Sequence, residues 1–588
     1  MRAFSQLLFT CLLAIAAPAS ADVSVAEQQL NTIIEDHWEF SLREYPTFAT
    51  AVGVNDFNDR MPSVTRTEQL RRLDALNAFL RRAGDIEVDA LSDAGRTNRD
   101  LFVWVLDDSR RSLELNLGRI PFNTFSGFFM NALTASDAVR MQTSEDYEDY
   151  LARLNDIPRY FAENIDNMRD GDRANFVLPQ IVIDGVLPTI KAQVKASAED
   201  SSFFEPFNDM SSRLSIEQQD ALRARGKQVI EEVVMPAFAT LAEFLANEYQ
   251  ASATIGAEDL AEGKDYYAFN IRRYTTLTNT TAAEIHKTGL AEVERIRAEM
   301  EQIIADVEFD GDFAAFGHFL RTDPQFYAAS ADELLQETAY LAKQIDYKMP
   351  GFFTRLPRQP YGIVPVPDEI APNYTTGAYR GAPKSAANGG AFWINTYALD
   401  QRPLYELPAL TLHEAVPGHH HQNALAQELE NVPEFRKNLG FSAFGEGWAL
   451  YAEKLGVEMG VYRTPYEHFG RLSYEMWRAC RLVVDTGLHS QGWTRDQAMQ
   501  YFKDNTSLSE GNIRSEVDRY ISWPGQALSY KLGELKIWEL RRIAEHDMGD
   551  GFDLREFHDV VLGSGAVPLA MLEKIVLRWV AEELDERS

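Results

Sequence analysis

The chain has 588 residues, with 57 Lys and Arg against 89 Asp and Glu, a formal net charge of −32. This balance argues against a nucleic-acid binder, which needs a basic face to neutralise phosphates, and against adhesion to anionic lipid headgroups. Hydrophobic residues at 45% and aromatics at 11% are those of a globular chain rather than a disordered one.

The first 21 residues read as a secretory signal peptide. Arg2 precedes an apolar run over residues 7–17, and Ala19-Ser20-Ala21 supplies the small-x-small ending, so cleavage is expected after Ala21. The run is too short to span a bilayer comfortably. Cys11 raises a lipoprotein site as an alternative, set behind the signal peptide because it lies inside the apolar run. The only other cysteine is Cys480, so no disulfide framework is expected and Cys480 reads as a small buried hydrophobe. No later stretch is apolar enough to span a membrane. The expectation is an exported protein, periplasmic or secreted, without a membrane anchor.

The elements that follow are mostly helical. Residues 25–45 carry apolar side chains at helical spacing until Tyr45-Pro46 breaks the pattern. Residues 145–168 read as a helix interrupted near Pro158, and 215–249 as a long amphipathic stretch containing Pro236. Thr281-Ala-Ala-Glu284 is a capping box that opens a helix to about residue 307, and Ser330 to Glu333 resembles one that opens a helix to about 348. Residues 350–390 are rich in Pro and Gly and read as an irregular functional surface. They lead into Ala391-Phe-Trp-Ile-Asn-Thr396, of strand composition. Helix resumes from about Pro403 and dominates residues 435–583. The fold class expected is mainly α, with a small β-sheet beside the active-site cleft. The region 22–588 is expected as one domain, with a lobe boundary near Asp265 separating residues 22–265 from a metal-binding lobe, 266–588.

The chemistry concentrates between His413 and Glu453. The run His413-Glu414-Ala415-Val416-Pro417-Gly418-His419-His420-His421 is similar to the zincin pattern His-Glu-x-x-His, in which two histidines one helical turn apart bind zinc and the Glu activates water. The spacing departs from that pattern. His419 lies six residues and His420 seven residues beyond His413, and neither meets His413 on an undistorted helix. Pro417 and Gly418 supply a distortion between them, because proline donates no N–H and glycine adopts backbone angles closed to other residues. Spacing leaves His419 and His420 both open. A third ligand is expected from Glu446-Gly-Trp-Ala-Leu-Tyr-Ala-Glu453, since three protein ligands complete a catalytic zinc site. Glu446 is taken as the ligand. Glu453, on the same helical face, is taken as its supporting group or a reserve ligand.

These motifs resemble the bacterial domain-of-unknown-function 885 family, grouped with the gluzincin-like metallopeptidases. The resemblance continues through Arg478-Ala-Cys-Arg-Leu-Val-Val-Asp-Thr-Gly-Leu-His489 and through Trp523-Pro-Gly-Gln-Ala-Leu-Ser-Tyr-Lys-Leu-Gly533. It covers nearly the whole mature chain and implies one large helical, zincin-like domain with its second histidine at His419. It further implies an exported zinc metallopeptidase holding one Zn2+ through His413, His419 and Glu446, with Glu414 as general base and a short peptide as substrate. Tyr530 is the first candidate and His489 the second for the group that stabilises the oxyanion. Residues 390–396 are expected as an edge strand on which a peptide lies, with Asn395 in contact with its backbone. The rival readings are a zinc-dependent ester or non-peptide amide hydrolase, and a non-catalytic binding protein with the same fold. No Gly-x-Ser-x-Gly elbow suggests a serine hydrolase.

Overall fold

The structure is a computed structural model that describes residues 24–587 apart from 135, 137, 138, 140, 369 and 383–387. The expected signal segment, with Cys11, lies outside the described residues. The fold is mainly α with one small sheet. Among the described residues no helix is long and apolar enough to cross a membrane.

Helix starts follow their capping residues. Ser24 accepts from the Glu27 amide and opens α1 (Val25–Glu44), and Ser92 accepts from the Gly95 amide and opens α2 (Asp93–Glu114). α3 (Ser144–Ala174) runs straight through Pro158, where an interruption was expected. One lost backbone bond is outweighed there by a face that buries Leu151, Leu154, Ile157 and Phe161. Pro236 is handled differently. The expected stretch 215–249 divides into α4 (Ile216–Val229), a π-helical turn (Ile230–Val234) and α5 (Met235–Asn247). The wider turn absorbs the break that a proline imposes. Thr281 and Glu284 form the reciprocal capping box of α6 (Ala282–Asp306), and Ser330 caps α7 (Ala331–Lys348).

The Pro- and Gly-rich tract is partly strand. It contains β1 (Tyr361–Pro365) and β2 (Gly377–Arg380), and both flank β3 (Gly390–Ile394). β1 pairs with β3 in parallel and β2 pairs with it antiparallel, so the order is β1-β3-β2. The strand expected as an edge is therefore the centre of the sheet. Phe392 and Ile394 drive it there, because both point into the core and are buried.

Six further helices complete the site region: α8 (Leu407–Glu414), α9 (His419–Gln427), α10 (Ser442–Glu458), α11 (Pro465–Ser490), α12 (Glu510–Ser522) and α13 (Ser529–Met548). The cores divide the chain differently from a cut at Asp265. Leu30 and Ile33 of α1 and Phe102 of α2 share one core with Ile345, Leu412, Trp448 and Ile537. Phe128, Leu154, Phe161, Phe238 and Leu241 form a second core of their own. The N-terminal helices thus belong with the site-bearing region, and the separate unit comes from the middle of the expected N-terminal lobe. Cys480 is free and buried among Met476, Val484 and Phe469.

α10 and α13 cross backbone to backbone. A Cβ on Gly447 would lie 2.5 Å from the Gly533 Cα, a separation no side chain tolerates. Gly447→Ala is therefore expected to force the two helices apart and to lower stability by about 1–3 kcal/mol in a denaturant titration. An unchanged midpoint would show that the crossing is not rigid.

Candidate metal centre

Between its two histidines the chain breaks one helix and starts another. α8 ends at Glu414 and α9 begins at His419. The distortion expected at Pro417 and Gly418 is thus a complete interruption. Pro417 has no amide hydrogen to continue the α8 ladder. Gly418 packs so tightly that a Cβ there would overlap the carbonyl oxygen of His413. The turn is pinned from below by Trp448, whose indole Nε1 donates to the Pro417 carbonyl at 2.7 Å. The outcome is that the rings of His413 and His419 stand 4.7 Å apart and nearly perpendicular, at 89°.

Glu446 meets both rings. It lies in the second turn of α10, and its Oε2 is 3.4 Å from His413 Nε2 and 3.5 Å from His419 Nε2. His413, His419 and Glu446 are the described residues that could hold a metal ion together, with one donor atom from each within 4.8 Å of the others. Donors about 2.0–2.1 Å from a tetrahedral zinc are separated by about 3.3–3.4 Å. The two separations to Glu446 are therefore long for hydrogen bonds and close to the edges of a zinc coordination polyhedron. Two imidazoles and a carboxylate are also the donor set of catalytic zinc sites.

The surrounding charge points the same way. His413 Nδ1 is 2.8 Å from Glu453 Oε1, and both side chains are buried. The carboxylate can only accept, so Nδ1 carries a proton and Nε2 is the nitrogen turned toward Glu446 and His419. Burial alone would lower the His413 pKa, but Glu446, Glu453 and Glu414 outweigh it and push it up to about 10. Burial would raise Glu446, yet His419 and His413 hold its carboxyl well below the usual carboxylate range. Three carboxylates around two imidazoles form a pocket short of positive charge, the condition that a divalent cation relieves.

The three consecutive histidines have separate destinations, as a helix turning about 100° per residue requires. His419 faces the site. His420 is buried under β2, with Nδ1 3.2 Å from the Tyr379 hydroxyl and Nε2 3.0 Å from the Gln359 carbonyl, and burial pushes its pKa down to about 4. His421 packs on Phe353 with ring centroids 4.6 Å apart. Glu414, nearly buried, accepts the Tyr379 amide through Oε2 at 2.7 Å. β2 therefore turns an outer-edge amide, that of Tyr379, onto Glu414.

Two expected site residues are engaged elsewhere. Asn395 is fully buried; its Nδ2 donates to the carbonyls of Ala371, Tyr374 and Thr375 at 2.9–3.1 Å, and its Oδ1 accepts from the Tyr397 amide. It clamps the β1–β2 connection and has no donor left for a substrate. His489 is buried too. Its Nδ1 accepts from the Ala257 amide, so the proton sits on Nε2 and is donated to the Tyr520 carbonyl at 2.9 Å. Burial pushes its pKa down to about 4, and a neutral ring with its one N–H spent cannot stabilise an oxyanion. Tyr530 accepts from Arg519 Nη2 at 3.3 Å and so keeps its own proton to donate.

Trp448 and Tyr379 were missed by the sequence reading. Trp448 lies inside the Glu446 to Glu453 motif, and its inward face could have been read from helical spacing. Tyr379 sits in a tract without motif or periodicity. A cavity of about 870 Å3 lies elsewhere and is lined by Arg355, Arg358, Glu428 and Trp579, with none of the metal-site residues.

The geometry makes one comparison decisive. His419→Ala is expected to abolish stoichiometric zinc binding measured by atomic emission, whereas His420→Ala retains it. Zinc loss in His420→Ala alone would reverse the assignment.

The fold is found in solved structures. The chain is similar to a candidate lipoprotein from Colwellia psychrerythraea, with 28% identity, a TM-score of 0.87 and coverage of 95% of this chain and 100% of that one. It also shares its fold with a candidate lipoprotein of unknown function from Shewanella oneidensis, at 18% identity and a TM-score of 0.73, covering 94% of this chain and 100% of that one. No curated protein matches it. Residues 46–576 match the family described as bacterial protein of unknown function (DUF885), and the chain belongs to that family.

Proposed function

We propose that this protein is an exported zinc-dependent hydrolase of the gluzincin-like type, a metallopeptidase acting on short peptides. The observation that carries the reading is the pair of separations, 3.4 and 3.5 Å, between the Glu446 carboxylate and the two imidazoles. Export is supported by the signal-like residues 1–21 and by the likeness to candidate lipoproteins.

When bound, zinc supplies a Lewis acid that polarises the scissile carbonyl and lowers the pKa of water toward about 7. Glu453 holds His413 in the tautomer that offers Nε2. Glu414, anchored through Oε2 by the Tyr379 amide, takes the proton of the attacking water and passes it to the leaving amine. Tyr530 donates to the developing oxyanion, a role that His489 cannot fill. β2, whose outer edge faces Glu414, is the strand that an extended peptide would extend, in place of the central β3.

Glu414→Gln is expected to keep one zinc per chain and to lower turnover of a peptide library at least about 100-fold. Departure of the metal with this substitution would make Glu414 a ligand and sink the assignment. Chelation is expected to remove the activity of the unmodified protein and zinc to restore it, read by mass spectrometry of the digested library. Hydrolysis of simple esters with no peptide cleaved would transfer the site to an ester hydrolase.

A further inference from the structure

A cluster of guanidinium groups surrounds Tyr530. Arg481 stacks on its ring at 4.2 Å and on Trp477 at 4.3 Å. Arg478 lies 5.9 Å from the same ring. Arg519 donates to the Tyr530 hydroxyl at 3.3 Å and to Gln526 Oε1 at 2.7 Å. The carboxylate that serves this group is Glu516, 3.1 Å from Arg481 Nη2 and 3.6 Å from Arg519 Nη1. Arg478 comes no closer than 4.0 Å to Glu453, which is already engaged with His413. Glu406, also within electrostatic reach of Arg478, is pushed up to about 7 by burial and is shared with Arg402.

Positive charge is therefore in excess at this point of a chain whose net charge is −32. It is also incompletely used. Arg478 Nε, Arg481 Nη1 and Arg519 Nε have no hydrogen-bond partner among the described residues. Buried cations without matched acceptors are destabilising, which points to an acceptor that arrives from outside. Acidic residues elsewhere on the surface would repel an anion, so such a cluster also fixes where an anion can settle.

The cluster adjoins the metal centre by two routes. Ser442 lies one turn before Glu446 on α10, and its Oγ accepts from Gln526 Nε2 at 3.4 Å, the same Gln526 that holds Arg519. On the other side Arg478 approaches Glu453, which bonds His413. The cluster reaches solvent most at Arg519, whose side chain is 15% exposed beside the exposed ring of Phe125, whereas that of Arg481 is 2% exposed.

We infer that this cluster recognises the terminal carboxylate of a peptide substrate, so that the proteins' substrates are peptides with a free C-terminus. The inference rests on the hydrolase reading for its substrate and on the arginine geometry for its ligand. A carboxylate suits the site because a planar guanidinium binds it through two parallel hydrogen bonds.

The test uses three pools of short synthetic peptides that lack Asp and Glu except where stated: free acids, the same sequences as C-terminal amides, and amides with one Glu near the end. The zinc-loaded protein is expected to cleave the acid pool at least about tenfold faster than the amides, the scale of one charge-assisted hydrogen bond. Arg519→Gln is expected to bring the acid-to-amide ratio to within about twofold of one, and Arg519→Lys to restore part of it. Equal rates on acids and amides by the unmodified protein would overturn the inference while leaving the hydrolase standing. Amides carrying Glu cleaved as fast as the acids would overturn it too, in favour of an acidic side chain. If no pool is cleaved, the hydrolase reading falls. The inference is then judged by melting temperature, where a rise with the acid pool alone supports it and equal rises, or none, overturn it.

Discussion

Two imidazoles six residues apart share one carboxylate because the backbone folds onto itself between them. The Gly418 Cα lies against the His413 carbonyl where no side chain fits, and the Trp448 indole holds Pro417 from the helix that also carries Glu446. The same helix therefore fixes the turn and supplies the third donor. α10 can do both because Gly447 lets it lie directly on α13. The candidate metal centre is in this sense a product of close backbone packing, with the positions of the candidate ligands following from it.

Electrostatics accounts for the way the centre is buried. Glu414, Glu446 and Glu453 surround two imidazoles in a region from which water is largely excluded, and carboxylates in such a setting need a compensating cation. These carboxylates outweigh the effect of burial on His413 and push its pKa up to about 10. A few residues away the imbalance is reversed, where Arg478, Arg481 and Arg519 outnumber their carboxylate partner. Two adjoining regions of opposite charge would give a bound peptide a direction as well as a reactive point. The hydrolase reading uses the first region and the carboxylate anchor uses the second.

The histidine run illustrates how neighbouring residues of one type acquire unrelated tasks. His419 faces Glu446, His420 is held by Tyr379 and Gln359, and His421 joins an aromatic core with Phe353. Residue type selects candidates for metal binding, and the helical phase set by the break at Gly418 selects among them. His489 and Asn395 make the same point from the opposite side. Their hydrogen-bonding groups suit catalysis or binding, but main-chain groups brought from distant segments already occupy them.

Local order was legible from the residues alone. Helical periodicity and the capping signals at Thr281 and Ser330 located helices, and the mainly α class followed. Spacing also located the segments in which the metal-site candidates lie, because a helix puts Glu446 and Glu453 on one face whatever it packs against. Tertiary structure alone decided the rest. It made β3 the central strand, since pairing partners on both sides came from a tract with no periodic signal. It kept α3 continuous through Pro158, since burial outweighed one lost bond. It joined the N-terminal helices to the core of the site-bearing region. Each of these depends on contacts between residues far apart in the chain, and a one-dimensional pattern records the strength of a local preference but not the partner that overrides it.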